Sequence, residues 1–514
     1  MNKFVTLSFV LIMLLSPAIA TVLPTSAINS SDFIIADPSD VFVRGPTVHL
    51  VTNDSAKIFW RTELASDATV NFGLNDSLME TVTNGTLDTD HLIALTGLEM
   101  DTKYYYQAES GTDQSQIYHF LTAPADGEEF KIIIAGDNRP DQGIAPAMPP
   151  SFPLLVDLIV EEEPHLIVLT GDYIYKLFGN PAQDVVIYAS FTDILDIMGH
   201  YAPVVGVIGN HDLEVIDDTR LLEYYLDAFV NIGTDEMYFS FDYAGVHFTM
   251  LDSEEMYIDH RITGPQYDWL VDDLSTTSAA MKLVFSHQPL YPVRHINTAL
   301  DYNKTERDRL QQLFEDENVT LYGAGHDHTY DRFVVNDVVH LITGGLGAPL
   351  GNTAWGPAYN HYTQVMISPN SLTIKAIKLD QSIGEEFALP YDGPIEIEMR
   401  VTVNTTTVYG GTDLEIYFST EPAEFYYSWD GATNSTTLAS FPEDLGEHFL
   451  DVYAKNDADV WSSKHFVLTT YGTPTETTTT DGPLVPLDGL LILGIVGVVA
   501  VVVVVGIIWK VKSK

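Results

Sequence analysis

Two histidines separated by a single residue lie in the segment GHDHTYDR, residues 325–332. In an extended or turning backbone, His326 and His328 can direct their imidazoles to the same side. Imidazole is the commonest nitrogen ligand for zinc, iron and related metals. The spacing is therefore compatible with part of a metal site, and on its own it is equally compatible with two packed or surface histidines.

Four segments upstream also end in a side chain that can bind a metal. They read KIIIAGD, HLIVLTGD, PVVGVIGN and MKLVFSH, and the candidate ligands in them are Asp137, Asp172, Asn210 and His287. Each ligand follows an apolar run that is rich in β-branched residues, which is typical of a buried strand. Four strand ends with such side chains are hard to explain by packing, so the sequence predicts one metal site at the carboxyl ends of several strands.

The ordered motifs GDNR, GDYIY, GNHD, SHQP and GHDHTYDR resemble those of the metallophosphoesterase (calcineurin-like) superfamily, and within it those of the purple acid phosphatases. The resemblance is strong over residues 130–380. It implies an α/β four-layer sandwich in which two mixed sheets face each other with helices outside. It also implies hydrolysis of phosphate esters at a binuclear metal centre, where a metal-held hydroxide attacks phosphorus.

The resemblance further implies which residues hold the two metals. Asp172 is the expected bridge between them. The remaining ligands are expected to divide into one set of Asp137, Tyr175 and His328, and a second set of Asn210, His287 and His326. Anionic oxygens favour a trivalent ion, whereas imidazoles and an amide suit a divalent one. The expected cofactors are Fe(III) and a divalent ion (Zn, Mn or Fe).

Three further residues are expected on the substrate side of the site. By resemblance, His211 and His295 are candidate catalytic residues that bind the phosphate or assist the leaving group. Arg139 stands where many superfamily members have a histidine, and it stays charged and cannot act as a ligand. It is expected to bind the substrate phosphate or to pair with Asp141. Tyr175 then replaces the missing ligand, unless it is a packed or lid tyrosine.

Composition narrows the functional classes. The 514 residues include 24 Lys and Arg against 72 Asp and Glu, a formal net charge of −48. Such an acidic surface repels nucleic acid, so no nucleic acid partner is expected. The chain has no cysteine, so any metal site must use oxygen and imidazole nitrogen. The length predicts two or three domains.

Alternating apolar and polar residues predict two small β domains around the central one. The N-terminal one resembles the fibronectin type III-like domain of plant-type purple acid phosphatases. Between them, helical spacing is predicted at 152–163, 184–198 and 219–230, and a hairpin at 237–253. The predicted order is a signal peptide at 1–20, an N-terminal β-sandwich at 40–125, a metallophosphoesterase domain at 128–385, a C-terminal β-sandwich at 392–470, a Thr-rich linker at 471–487, a transmembrane helix at 488–509 and a cytoplasmic tail at 510–514.

The C-terminal apolar run indicates the cellular location. Residues 490–509 are 20 apolar residues in succession, and Lys510, Lys512 and Lys514 follow them. Such a run can span a bilayer, and the lysines mark its cytoplasmic side. The sequence therefore predicts a single-pass cell-surface protein with an exported N-terminal part, on which several Asn-x-Ser/Thr sequons are candidate glycosylation sites. Its oligomeric state is not predictable.

The expected function is that of a cell-surface phosphomonoesterase of the acid phosphatase type. A phosphodiesterase or nucleotide hydrolase on the same scaffold is the alternative, because residues outside the ligand set decide between these substrates. A non-catalytic cell-surface binding protein is a third possibility. The complete set of seven candidate ligands argues against it.

Overall fold

The computed structural model describes residues 41–470, apart from short gaps at 142–144, 146, 176–180, 213–219, 230–236, 255–260, 352–357, 391–394, 402–413, 440–441, 443–445 and 457–459. Within these residues no helix is both long and apolar enough to cross a membrane. The predicted signal peptide, Thr-rich linker, transmembrane helix and tail lie outside the described residues and stay predictions.

The N-terminal domain is built on one long β-hairpin. Its strands are β1 (Phe42–His49), β2 (Ser55–Gly73), β3 (Glu80–Thr96), β4 (Lys103–Ser110), β5 (Asp113–Gln114) and β6 (Tyr118–Leu121). The first half of β2 pairs with β1 and its second half with β4, while β3 pairs with both halves. Trp60 from the first half and Phe72 from the second half share one buried core, which makes the domain a small sandwich.

The segments SAKIFWRT and ATVNFG each alternate apolar and polar residues like a separate strand, but both lie in β2, which does not end between them. Its register with β3 shifts at residues 61–68. A bulge of this kind bends a strand while its pairing continues.

The central domain contains two six-stranded mixed sheets. Its strands are β7 (Phe130–Ala135), β8 (Leu166–Leu169), β9 (Val204–Gly206), β10 (Phe239–Tyr243), β11 (Val246–Met250), β12 (Met281–Phe285), β13 (Leu321–Ala324), β14 (Tyr330–Val335), β15 (Val338–Thr343), β16 (His361–Ser368), β17 (Ser371–Lys378) and β18 (Ile383–Leu389). One sheet has the order β18-β17-β16-β7-β8-β9, and the other has the order β10-β11-β12-β13-β15-β14. The predicted hairpin is present as β10 and β11. The domain extends to the end of β18, four residues beyond the predicted boundary at 385, because β18 pairs with β17.

The two sheets pack face to face around a buried apolar core. Ile132 and Val168 of the first sheet and Phe248 and Leu283 of the second belong to this core. The strands β7, β8 and β9 are mutually parallel, as are β11, β12, β13 and β15. Parallel strands are covered on both faces, which explains their continuous apolar runs.

Helices cover the outer face of each sheet. They are α1 (Ser151–Glu161), α2 (Pro181–Gly199), α3 (Arg220–Ala228), α4 (Gly264–Thr276) and α5 (Lys304–Asp316), with a 3-10 helix at Leu300–Tyr302. Residues of α1, α2 and α3 pack on the first sheet, and residues of α4 and α5 pack on the second. The three predicted helices are confirmed within a few residues at each end. The result is the predicted four-layer arrangement.

The C-terminal domain is a smaller pair of sheets. Its strands are β19 (Ile397–Val401), β20 (Leu414–Phe418), β21 (Glu424–Trp429), β22 (Gly446–Lys455) and β23 (Trp461–Thr470). Met399 from the two-stranded sheet and Leu450 from the three-stranded sheet share one buried core. Glu415 of β20 binds Arg307 of α5 at 3.0 Å, which ties this domain to the central one.

Candidate metal centre

The predicted ligands follow the strands that the sequence indicated. Asp137 follows β7, Asp172 follows β8, and His326 follows β13. All three have left-handed backbone conformations, with φ of 62°, 59° and 67° respectively. Such conformations cost about 1–3 kcal/mol in a non-glycine residue and are concentrated at functional sites. Backbone strain is therefore present at three predicted ligands, each at the point where the chain leaves a strand and turns.

One group of donors consists of Asn210, His287 and His326. The Asn210 Oδ1 atom lies 3.0 Å from His287 Nε2 and 3.0 Å from His326 Nδ1. These two ring nitrogens are 3.2 Å apart. His287 Nδ1 donates to the Thr170 carbonyl at 2.8 Å, so the Nε2 atom of the neutral ring presents a lone pair to the group. Three electron-rich atoms this close together fit a bound cation.

The second group consists of Asp137, Asp172 and His328. All three are buried, and one ligand atom from each lies within 4.8 Å of the other two. His328 Nδ1 donates to the Pro349 carbonyl at 2.7 Å, which leaves Nε2 facing Asp137 Oδ1 at 3.4 Å. A carbonyl partner of this kind fixes the tautomer of a metal-binding histidine.

Asp172 belongs to both groups. Its Oδ1 atom lies 3.3 Å from His287 Nε2. Burial acts to raise the pKa of Asp172, but the charges of His287, His211 and Arg139 outweigh burial and hold this pKa well below its usual range. Burial likewise acts to lower the pKa of His287, and Asp172 and Asp137 outweigh it, which raises the pKa to about 9. Asp172 and His287 therefore favour each other's charged form, whereas metal binding would require the neutral His287 ring with its Nε2 lone pair.

Glycines allow the ligand loops to approach each other. A Cβ atom on Gly209 would lie 2.3 Å from the Asp172 amide nitrogen, and one on Gly325 would lie 2.4 Å from Asp137 Oδ2. A Cβ atom on Gly344 would lie 2.8 Å from the same oxygen. Any side chain at these positions would push the donors apart.

Asp212 is a positioning residue that the sequence motifs contained but to which sequence reasoning assigned no role. Its Oδ2 atom accepts the amides of Asp172 and Gly209, both at 2.9 Å. Its Oδ1 atom accepts the amides of Tyr173 at 2.9 Å and Ile174 at 3.1 Å. This buried carboxylate therefore joins the loop after β8 to the loop after β9. Burial and the charge of Asp172 raise the pKa of Asp212 to about 7.

Asp327 is a second positioning residue, and it holds the backbone of the loop that carries His295. Sequence reasoning assigned no role to it either. This buried carboxylate accepts the amides of Val293, Arg294 and His295 at 2.5, 2.7 and 3.0 Å, and it binds His295 Nδ1 at 2.6 Å. The His295 ring lies 4.3 Å from the His326 ring. The structure thus brings His295 to the donor groups. The sequence feature that could have indicated this role was the position of Asp327 between the candidate ligands His326 and His328.

His211, Arg139 and Tyr175 form a small stack beside Asp172. The His211 amide donates to Asp172 Oδ1 at 3.0 Å, and its Nε2 atom lies 4.0 Å from Asp172 Oδ2. Arg139 Nε donates to Asp172 Oδ2 at 3.0 Å, so Arg139 makes an ion pair with the expected bridging ligand. The Tyr175 ring lies 5.1 Å from the His211 ring and 5.2 Å from Arg139 Cζ. Metal binding by Tyr175 stays a prediction.

Two side chains of the GHDHTYDR motif, Tyr330 and Arg332, bind carboxylates of neighbouring segments. The Tyr330 hydroxyl donates to Glu385 Oε2 at 2.7 Å, and Arg332 binds Glu385 at 2.8 Å and Glu396 at 3.1 Å. These contacts join β14 to β18 and to the start of the C-terminal domain. Neither side chain belongs to the donor groups.

Comparison with known proteins identifies the family of the central domain. Residues 130–330 match the family model described as calcineurin-like phosphoesterase. The chain carries a calcineurin-like phosphoesterase domain. The matched residues contain β7 to β13 and every predicted ligand, so the family assignment made from the motifs is confirmed.

Curated proteins similar to this chain include several purple acid phosphatases. Purple acid phosphatase 23 of Arabidopsis thaliana is 26% identical over 276 residues, covering 47% of this chain and 57% of that protein. Fe(3+)-Zn(2+) purple acid phosphatase 12 of the same plant is 23% identical over 295 residues, 52% of this chain and 57% of that protein. The chain spans about half the length of the curated relatives that it matches. A purple acid phosphatase from yellow lupin (Lupinus luteus) seeds shares the fold with a TM-score of 0.56, at 17% identity, over 67% of this chain and 73% of that one.

Proposed function

We propose that this protein is a metal-dependent phosphatase that hydrolyses phosphate monoesters. The observation that carries the proposal is the position of Asp172 between two groups of converging donors. One group offers Asn210 and two imidazoles, and the other offers Asp137 and one imidazole. This division fits two cations that share one carboxylate.

The donor chemistry supports Fe(III) with a divalent partner. The group around Asp137 is rich in anionic oxygen, and Tyr175 is the candidate to add a phenolate to it. The group around His287 is rich in nitrogen and suits Zn, Mn or Fe(II). A relative whose name specifies Fe(3+) and Zn(2+) is consistent with this pairing. When bound, two such ions would supply Lewis-acid charge and lower the pKa of a water molecule.

Three side chains are proposed to act on the substrate. Arg139, His211 and His295 each lie beside a predicted ligand without belonging to either donor group. A guanidinium and an imidazole can donate hydrogen bonds to phosphate oxygens. An imidazole can also give a proton to the departing ester oxygen, which typically accelerates such a step by about 10²–10⁴-fold. The two histidines are therefore the candidates to assist the leaving group.

The function is tested with the full chain in detergent, reconstituted with iron and zinc. Phenyl phosphate, a nucleoside monophosphate and a bis-aryl phosphate are compared as substrates, and bound metal is measured by elemental analysis. We expect two metals per chain and faster hydrolysis of the monoesters. Asp172→Asn should lose at least one metal and nearly all activity, whereas the exposed α4 control Asp268→Asn should keep both.

Two outcomes would replace the proposal. Faster hydrolysis of the bis-aryl phosphate than of phenyl phosphate would make the protein a phosphodiesterase. Two bound metals without hydrolysis of any substrate would make it a binding protein. Full activity in Asp172→Asn, or in protein stripped of metal, would exclude the proposed centre.

The protein is further proposed to act at the cell surface. The support is the apolar run at 490–509 followed by three lysines, together with the predicted signal peptide. Membrane fractionation of cells that express the full chain, or a chain ending after Thr480, tests the anchor. The full chain should sediment with membranes and the shortened chain should be secreted. A shortened chain that still sediments would contradict the anchor.

A further inference from the structure

Arg294 is an exposed arginine on the loop that brings His295 to the candidate metal centre. Its amide donates to the buried Asp327 carboxylate at 2.7 Å, between two other amides held by the same group. The next residue is His295, whose ring lies 4.3 Å from that of His326. The backbone of Arg294 is therefore fixed to the loop that supplies two predicted ligands.

The Arg294 side chain runs along the segment that holds His328. A Cβ atom placed on Gly351 would lie 2.6 Å from both Cδ and Nη1 of Arg294, so the side chain covers this glycine closely. The Gly351 amide donates to the His328 carbonyl at 2.9 Å, and the Pro349 carbonyl accepts from the His328 ring at 2.7 Å. The guanidinium thus packs on the backbone segment that is hydrogen-bonded to both the carbonyl and the ring of the predicted ligand His328.

Arg294 also differs from the other arginines whose side chains the structure describes. Each of the others makes an ion pair with a carboxylate or lies over an aromatic ring. They are Arg44, Arg61, Arg139, Arg261, Arg307, Arg309 and Arg332. The Arg294 guanidinium makes no such contact with any described residue. In a chain with 72 acidic and 24 basic residues, a guanidinium that no described carboxylate pairs with, on a loop beside the candidate metal centre, is available to an external anion.

We propose that Arg294 is a specificity-determining residue that binds a second anionic group of the substrate. The preferred substrates would then carry a phosphate or a carboxylate beyond the phosphoryl group that is hydrolysed. A guanidinium matches either group because both accept two parallel N–H donors. This inference rests on the proposed phosphatase function and names the substrate class of the same site.

The inference gives Arg294 a defined part in hydrolysis. With inorganic pyrophosphate, an oxygen from water forms a bond to one phosphorus while the bridging P–O bond breaks. The second phosphate leaves with the bridging oxygen and its negative charge, and the proton from water is released to solvent or to a nearby imidazole. Arg294 would hold this leaving phosphate and offset its charge.

Binding measurements on the metal-loaded full chain test the proposal without requiring turnover. Methylenediphosphonate carries a second phosphonate, phosphonoacetate carries a carboxylate, and inorganic phosphate carries neither. We compare wild type with Arg294→Gln, Arg294→Lys and the control Arg309→Gln, which removes an equal charge from the outer helix α5. Arg294→Gln should weaken binding of at least one two-anion probe by roughly 10-fold or more relative to inorganic phosphate. Arg294→Lys should recover part of this loss, and Arg309→Gln should show none.

Kinetics separate failure of this inference from failure of the phosphatase proposal. The ratio of kcat/KM for pyrophosphate to kcat/KM for phenyl phosphate should fall in Arg294→Gln, mainly through KM. An unchanged ratio and unchanged probe selectivity would overturn the role of Arg294 while the phosphatase proposal stands. Absence of hydrolysis in wild type would overturn the phosphatase proposal and with it this inference. Loss confined to methylenediphosphonate or to phosphonoacetate would identify the second group as phosphate or carboxylate.

Discussion

The carboxylate of Asp212 accepts the main-chain N–H of Asp172, the proposed bridging ligand, at 2.9 Å. Both residues are buried, and the two carboxylates face different partners. Asp172 directs its oxygens to His287, His211 and Arg139. Asp212 directs both of its oxygens to backbone amides. One aspartate is thus presented to a metal because the other holds the backbone that carries it.

Replacing Asp212 should disorganise the centre without removing a ligand. In Asp212→Asn one of the two oxygens becomes an NH2 group that faces amide donors. Two buried N–H groups then lose their acceptor, at about 1–3 kcal/mol each. At pH 8, above the pKa of about 7, we expect a lower melting temperature and weaker metal retention than in the Asp268→Asn control. Metal content and stability equal to wild type would show that Asp212 does not position the loop.

The sequence alone predicts candidate donors at strand ends, but it does not predict which residues hold their backbone. Asp137 and Asp172 were predictable because each ends an apolar run, and strand ends can be read from local residue types. The role of Asp212 depends on which amides point at it, and that is set only when the loops after β8 and β9 meet. The pairing of Arg44 with Asp196 is likewise set only by tertiary folding, because the two residues are 152 positions apart in the chain. No local sequence pattern predicts such a pair.

The pair of Arg44 and Asp196 should contribute strongly to the joining of the N-terminal and central domains. Arg44 Nη2 and Nε donate to Asp196 at 2.7 and 3.2 Å, and both side chains are about nine-tenths buried. Arg44→Ala would leave a buried carboxylate without its partner, which typically costs about 3–5 kcal/mol. Urea unfolding should show this loss, and the double variant Arg44→Met with Asp196→Leu should recover much of it. An unfolding midpoint unchanged in Arg44→Ala would contradict the assignment.

His211 should affect the chemical step more than metal retention. Its main-chain amide, which any residue can supply, makes the hydrogen bond to Asp172. His211→Ala therefore keeps that contact and removes only the imidazole. We expect metal content close to wild type and a turnover lower by about 10²-fold or more, the range usual for lost acid–base assistance. Loss of one metal per chain in this variant would instead make His211 a ligand.

His247 should make folding stability depend on pH. Burial lowers its pKa, but hydrogen bonds to Asp273 at 3.0 Å and Asp242 at 2.7 Å outweigh burial and raise the pKa above the ordinary value. A raised pKa gives stability that is fully present below about pH 6.5, the value for an unfolded histidine. That stability is lost as the pH rises through the folded pKa. The free energy of unfolding lost in His247→Gln should thus be larger at pH 6 than at pH 9.

Partner removal provides the control for this pH dependence. Asp242→Asn removes one of the two carboxylates that raise the pKa of His247. The pH dependence of this variant should fall between those of wild type and His247→Gln. Equal differences between wild type and His247→Gln at both pH values would show that His247 does not titrate in this range.

Metal binding by Tyr175 would determine whether the iron-loaded protein is coloured. Its ring stacks against His211 and lies near Arg139, which itself binds Asp172. A phenol in water loses its proton near pH 10, so a phenolate at neutral pH requires a strong Lewis acid. Ferric iron meets this requirement, and zinc or manganese does so poorly. If Tyr175 is a ligand, iron-loaded protein should absorb visible light through charge transfer from phenolate to iron.

The nearby Tyr173 offers a matched control for that spectrum. Its buried hydroxyl donates to the Val207 carbonyl at 2.6 Å, so it is directed into the protein core. Tyr175→Phe should abolish the visible band and weaken iron retention while the fold persists, as judged by circular dichroism. Tyr173→Phe should keep the band, because it removes a core hydrogen bond and no proposed ligand. With iron bound in both, a Tyr175→Phe spectrum identical to wild type would remove Tyr175 from the metal and leave it as a packing residue on His211.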